Sequence, residues 1–243
     1  MSKTDSPEFS SAGIQRAYDA HFAKVDPAAR PGWAFIGCDE AKLSTATVGI
    51  IGLNPGGEDV PGQASWHCPQ YELAYLDEPW GPNGTLNPLQ VQIKSMLEIL
   101  NVAPRDVFAA QLVPFRSRSW MKLHDRDAAL STFLPFWSHI LEHGSPRLWI
   151  SLGKAAGRRL AQLDDPGLRA DVRTVDWGKQ TAELFQISGG RAVLALPHLS
   201  RFRLFEPARP NAVAALLAAA EQAGLSPGAN VGADRPLTTL PCR

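Results

Sequence analysis

Two short stretches of this sequence gather side chains that can act on a ligand. The first is Gly52-Leu-Asn-Pro-Gly56. Its glycines allow close backbone approach and Pro55 stiffens the turn, so the amide of Asn54 is expected at a fixed point. That amide is neutral: it can orient a water or a ligand by hydrogen bonds but cannot act as a real base. The stretch is not a dinucleotide fingerprint, because GxGxxG is absent, nor a phosphate loop, because no Gly-Lys-Ser/Thr follows. Glu58 and Asp59 come next and offer carboxylates, although the first turn of a following helix is their ordinary place. The second stretch is Leu196-Pro-His-Leu-Ser-Arg-Phe202, where one loop carries an imidazole, a hydroxyl, a guanidinium and an aromatic ring.

Other residues could join them. Gln111 presents a donor and an acceptor on a long arm. Trp66 and His67 stand in a loop bounded by Gly and Pro, outside any apolar period. Arg116 and Arg118 share a second loop, while Lys154, Arg158 and Arg159 open a helix and suit a solvated face. No metal or cofactor is expected. The three cysteines, Cys38, Cys68 and Cys242, form no CxxC pair and read as reduced thiols. His139 and His143 lie at i, i+4 without the Glu of an HExxH motif, and are expected on a helix surface.

These residues need elements to hold them. Residues 46–52, 106–113, 147–152 and 192–196 are short apolar runs of the kind found in buried strands, with 172–176 and 183–187 as further candidates. Between them lie helical patterns at 88–100, with Pro88 in the first turn, at 125–142, from 153 onward, and at 210–223. The alternation predicts an α/β fold: a three-layer αβα sandwich around a central, mostly parallel four-stranded sheet. Ligands of such sheets bind beyond the carboxyl ends of the strands, which selects the loops after Gly52, Val113, Leu152 and Leu196.

The chain has 243 residues, 44% of them hydrophobic, enough for one substantial core. The reading is a single domain at 13–225 between flexible tails at 1–12 and 226–243. Lys+Arg and Asp+Glu both number 24, so the overall charge announces no polyanionic partner, and nucleic-acid binding would need a local basic strip. Residues 1–11 lack the apolar core of a signal peptide, and no run approaches the ~18 apolar residues of a membrane span. The protein is expected to be a cytoplasmic monomer with no membrane partner.

With the motifs in order, the sequence resembles the uracil-DNA glycosylase superfamily. Gly52-Leu-Asn-Pro-Gly56 is similar to the first motif of its mismatch-specific and thymine-DNA branches. Pro197-His-Leu-Ser200 is similar to the His-Pro-Ser motif of the uracil-specific enzymes, with Leu199 in place of proline. The segments from Asp106 to Arg116 and from Leu148 to Gly153 look like the family's central strands, so the resemblance covers about 46–205.

The resemblance implies a monofunctional DNA glycosylase of base-excision repair, which hydrolyses the N-glycosidic bond of uracil or a related deaminated base flipped out of DNA. It implies catalytic roles for Asn54, which positions water, and His198, which donates a hydrogen bond to the departing base. Gly52, Leu53, Pro55, Gly56, Trp66, His67 and Gln111 would form the base pocket, with Trp66 as stacking platform. Ser200, Arg201, Phe202 and Arg203, helped by Arg116 and Arg118, would contact DNA, with Arg201 and Phe202 as wedge. No lysine in the motifs suggests Schiff-base chemistry. Gln111 and Leu199 depart from the uracil pattern. They keep open a weak or inactive member that binds damaged or abasic DNA, or a hydrolase of small nucleosides.

Overall fold

The computed structural model describes residues 8–56 and 63–226; Glu58, Asp59, Cys242 and most of both expected tails lie outside the described residues. In chain order the elements are α1 (Ser11–His21), β1 (Trp33–Ala34), β2 (Val48–Gly52), β3 (Ala64–Ser65), α2 (Ala74–Asp77), α3 (Pro88–Leu100) and β4 (Val107–Gln111). There follow α4 (Arg126–His143), β5 (Leu148–Ser151), α5 (Lys154–Asp164), β6 (Asp171–Thr174), β7 (Thr181–Ile187), β8 (Arg191–Ala195) and α6 (Pro210–Gln222).

The main sheet has six strands in the order β4-β2-β5-β8-β7-β6. The first four are mutually parallel; β7 is antiparallel to β8, and β6 to β7. This corrects the expected four-stranded sheet: the four parallel strands are present, and a hairpin extends them into a mixed sheet. The hairpin reverses where Asp176 and Gly178 take φ of 55° and 53°. Parallel strands covered on both faces must be apolar throughout, and all residues of β2 and β5 are buried. The chain leaves β2 for β4 through α3 and returns across the sheet to β5 through α4. Right-handed crossovers in opposite directions put these helices on opposite faces, which makes three layers.

Local signals start the helices where the sequence suggested. Asn87 and Gln90 form a reciprocal capping box ahead of α3, with Pro88 at its first position. Pro135 lies inside α4, which keeps its helical course for 18 residues. α1 begins within the segment expected to be flexible, capped by the Ser10 side chain on Gly13 N–H at 3.0 Å. Phe9 before it lies 5.2 Å from Trp66 and 5.8 Å from Phe136, centroid to centroid, so ordered structure starts ahead of residue 13. The segment after β1 pairs with the outer edge of β4: Gly37 N–H donates to Ala109 O, and Gln111 N–H to Phe35 O. No helix among the described residues is long and apolar enough to cross a membrane. His139 and His143 stack at 4.1 Å on α4, and no group suited to holding a metal occurs among the described residues.

Candidate functional site

The two chemical loops meet because of the strand order. Gly52 of β2 is level with Gln111 of β4, and Ile51 is level with Ser151 of β5, itself level with Ala195 of β8. Gln111, the Asn54 loop, Gly153 and the His198 loop therefore stand side by side along one carboxyl edge. β2 and β8 are separated by β5 alone, so their tips lie two strand spacings apart, about 10 Å. From β2 the chain crosses one way and from β5 the other, so the sheet's topological switch point lies between the tips of β2 and β5. Asn54 is on one side of it and His198 on the other.

Asn54 follows the strand by two residues and is half-buried. Its Nδ2 donates to Pro55 O at 3.1 Å and lies 3.5 Å from Phe115 O and Ser117 O. Carbonyls only accept, so the amide must turn its NH₂ end toward them, leaving Oδ1 as a free acceptor. The loop is tied down on both sides. Val113 N–H donates to Leu53 O at 3.0 Å, and Ser117 N–H to Pro55 O at 3.2 Å. Gly56 O accepts from Arg116 Nη1 at 3.2 Å.

His198 sits on a tight turn closed by Arg201 N–H donating to His198 O at 2.9 Å. Leu199 is fully buried and anchors the turn in the core, doing by burial what a proline ring would do by rigidity. The imidazole Nδ1 accepts Ser200 N–H at 3.3 Å and lies 2.8 Å from Ser200 Oγ. An Nδ1 that accepts leaves the proton of the neutral ring on Nε2, which becomes a donor with no hydrogen-bond partner among the described residues. His198 keeps exposed surface, yet loss of water around the ring holds its pKa below the usual range, and the Arg201 charge adds to this. The neutral donor is therefore the resting form. Gly153 opens α5 at φ 133° and lies against the imidazole: a Cβ there would be 3.6 Å from His198 Cδ2.

Gln111 lies across Gly52, where a Cβ would stand 2.1 Å from Gln111 Oε1. Its Nε2 donates to the Tyr75 hydroxyl at 3.1 Å, and its Oε1 is buried without a partner. Burial pushes the Tyr75 phenol up to about 12, so it stays protonated, and its ring meets Trp80 edge-on at 5.2 Å. Tyr75 and Gly153 were not legible as site residues. Tyr75 sits in a one-turn helix with no motif, and Gly153 reads as an ordinary helix start.

Several expected residues lie elsewhere. Trp66 packs 5.4 Å from Phe35 and its indole N–H bonds Glu40, while His67 Nδ1 accepts Glu40 N–H at 3.4 Å. The β3 segment that carries them pairs with β1 beyond the β4 edge, so neither stands at the switch point. Trp66 is partly buried, with Phe9 and Phe35 as aromatic neighbours at 5.2 and 5.4 Å, and keeps some exposed surface. Phe202 is half-buried edge-on against Trp177 at 5.8 Å, and Arg209 lies 4.0 Å over the same indole. Ser200, Arg201 and Arg203 are exposed on the His198 loop, Arg203 within 3.7 Å of Glu206. Arg116 and Arg118 line a separate cavity next to the Asn54 loop. Lys154 and Arg158 face β7, where both pair with Glu183. No protein-family model matches the sequence, and a search of curated proteins finds no relative.

Proposed function

We propose that the protein is a monofunctional DNA glycosylase that hydrolyses the N-glycosidic bond of uracil or a related deaminated base, without metal or cofactor. One observation carries the reading: an acceptor amide, Asn54, and an imidazole held as an Nε2–H donor, His198, follow strands only two spacings, about 10 Å, apart at the same carboxyl edge of the sheet. In N-glycoside hydrolysis the sugar gains cationic character while the departing base gains negative charge. His198 Nε2–H donates to the base as that charge grows, and Asn54 Oδ1 orients the water that attacks the sugar. Gln111 and Tyr75 stand at this edge on the β4 side, and Arg201 with Phe202 supplies the wedge that keeps the base out of the stack.

The test is excision from single- and double-stranded oligonucleotides carrying uracil, hypoxanthine or xanthine, read by alkaline cleavage at abasic sites. The expected result is excision that falls about 100- to 1,000-fold in His198→Ala, the usual cost of losing one positioned donor. Asn54→Ala should lower it as well. Activity that survives both substitutions overturns the mechanism. Tight abasic-DNA binding with no excision replaces it with a binding module, and cleavage of free deoxyuridine alone replaces it with a nucleoside hydrolase.

A further inference from the structure

Next to the Asn54 loop, a cavity of about 400 Å³ opens between the end of α1 and the loop that follows β4. Phe22, Val25, Pro31 and Leu123 give it an apolar wall. Arg116, Arg118, Lys122 and His124 supply its polar groups, and no carboxylate occurs among the described lining residues. Two permanent cations, Arg116 and Lys122, and the imidazole of His124 thus converge on one concavity of a chain whose formal net charge is zero. Like charges gathered in a concave site focus the field there and attract an anion.

Arg116 adds a second observation. Its Nη1 bonds Gly56 O, no carboxylate among the described residues pairs with it, and its Nε is buried without a hydrogen-bond partner. A buried charged donor left unpaired is costly, and a ligand oxygen in the cavity would relieve it. The guanidinium plane suits two oxygens of a phosphate, and Lys122 suits a point contact with a third. The cavity volume falls in the range of small-molecule sites, about 300–1,000 Å³. A bare inorganic ion would leave the Phe22, Val25 and Leu123 wall uncovered, so the lining asks for a phosphate that carries an apolar or planar body.

We propose that this cavity binds an organic phosphate monoester of about the size of a nucleoside monophosphate. The phosphate lies on Arg116 and Lys122, and the body lies on the wall formed by Phe22, Val25 and Leu123. The site does not rest on base excision. Its ligand is either a free nucleotide or the terminal phosphate of a nucleic-acid strand, which share this chemistry.

Isothermal titration of the protein with adenosine 5′-monophosphate, adenosine and inorganic phosphate tests the site. The nucleotide should bind and be displaced by inorganic phosphate, and adenosine should bind at least about tenfold more weakly. Lys122→Ala, an exposed substitution that leaves the core intact, should weaken the nucleotide about fivefold, and Arg116→Met about tenfold or more. His198→Ala should leave its binding unchanged. A preference for an oligonucleotide with a 5′-phosphate over the same strand without one assigns the ligand to a strand end; equal binding of the two strands assigns it to a free nucleotide. Adenosine binding as well as its phosphate, wild-type affinity in Lys122→Ala, or loss of binding in His198→Ala would overturn the proposal.

Discussion

His198 and Gly52 show how single residues set the character of this edge of the sheet. The imidazole is held below its usual pKa by lost hydration and by Arg201, so protonation should not intrude at neutral pH. If excision uses the neutral ring, kcat should stay level from pH 8 down past 6.5 and fall only as the lowered pKa is approached. A nuclear magnetic resonance titration of the His198 ring should give its midpoint below 6.5. The linkage has the matching sign. Below 6.5 the unfolded chain takes up this proton before the folded one does, so stability is lost as pH falls toward the folded value. Gly52 acts through space. Gly52→Ala would thrust a methyl into Gln111 Oε1 and swing the amide off the Tyr75 hydroxyl. The far end of a glutamine can move, so thermal melting should record only about 1 kcal/mol, the worth of one hydrogen bond. In a Gln111→Ala background the same substitution should cost almost nothing. Additive losses in that double-mutant cycle would show that the two residues do not oppose each other.

At the scale of elements, the hairpin of β6 and β7 is fastened to the parallel sheet by more than its ladder. Glu183 on β7 is buried and receives Arg158 Nε at 2.6 Å and Nη2 at 2.5 Å from α5, with Lys154 Nζ at 3.3 Å. Arg158 chiefly, against the cost of burial, holds the Glu183 carboxyl below its ordinary 4.5. Stability from this cluster is therefore present above pH 4.5 and is lost as pH falls through the lowered folded value. Glu183→Gln should lower stability at pH 7 by about 1–2 kcal/mol in urea titration, with the gap from wild type narrowing as pH falls below 4.5. The parallel strands were legible because burial on both faces demands unbroken apolar runs such as Val48-Gly-Ile-Ile-Gly52. Strand direction in the hairpin was not. β6 is a short edge strand with Val172 exposed, and local pattern carries no sign of which neighbour it will pair with. The two site loops could be read because each follows a recognisable strand. The neighbours of Trp66 were not legible, since they form a long-range aromatic cluster that includes Phe9, in a segment whose Ser-rich sequence suggested no order.

Over the whole molecule, 24 basic residues balance 24 acidic ones, so any grip on DNA comes from local groupings, not from a general attraction. Fluorescence anisotropy on an abasic duplex should show a shallow salt dependence, with log K falling against log salt at a slope of about −2 to −3, as a few phosphate contacts predict. A slope steeper than about −6 would mean a far wider contact surface than the His198 loop provides. That loop also carries a consequence of its own. Phe202 rests edge-on against Trp177, and Arg209 lies over the same indole. If the loop wedges into DNA as proposed, Phe202 must leave Trp177 and expose more of that indole to water. Trp177 is one of seven tryptophans, so with the other six replaced by Phe the colour of its emission would follow, in real time and without a dye, whether the loop is at rest or at work.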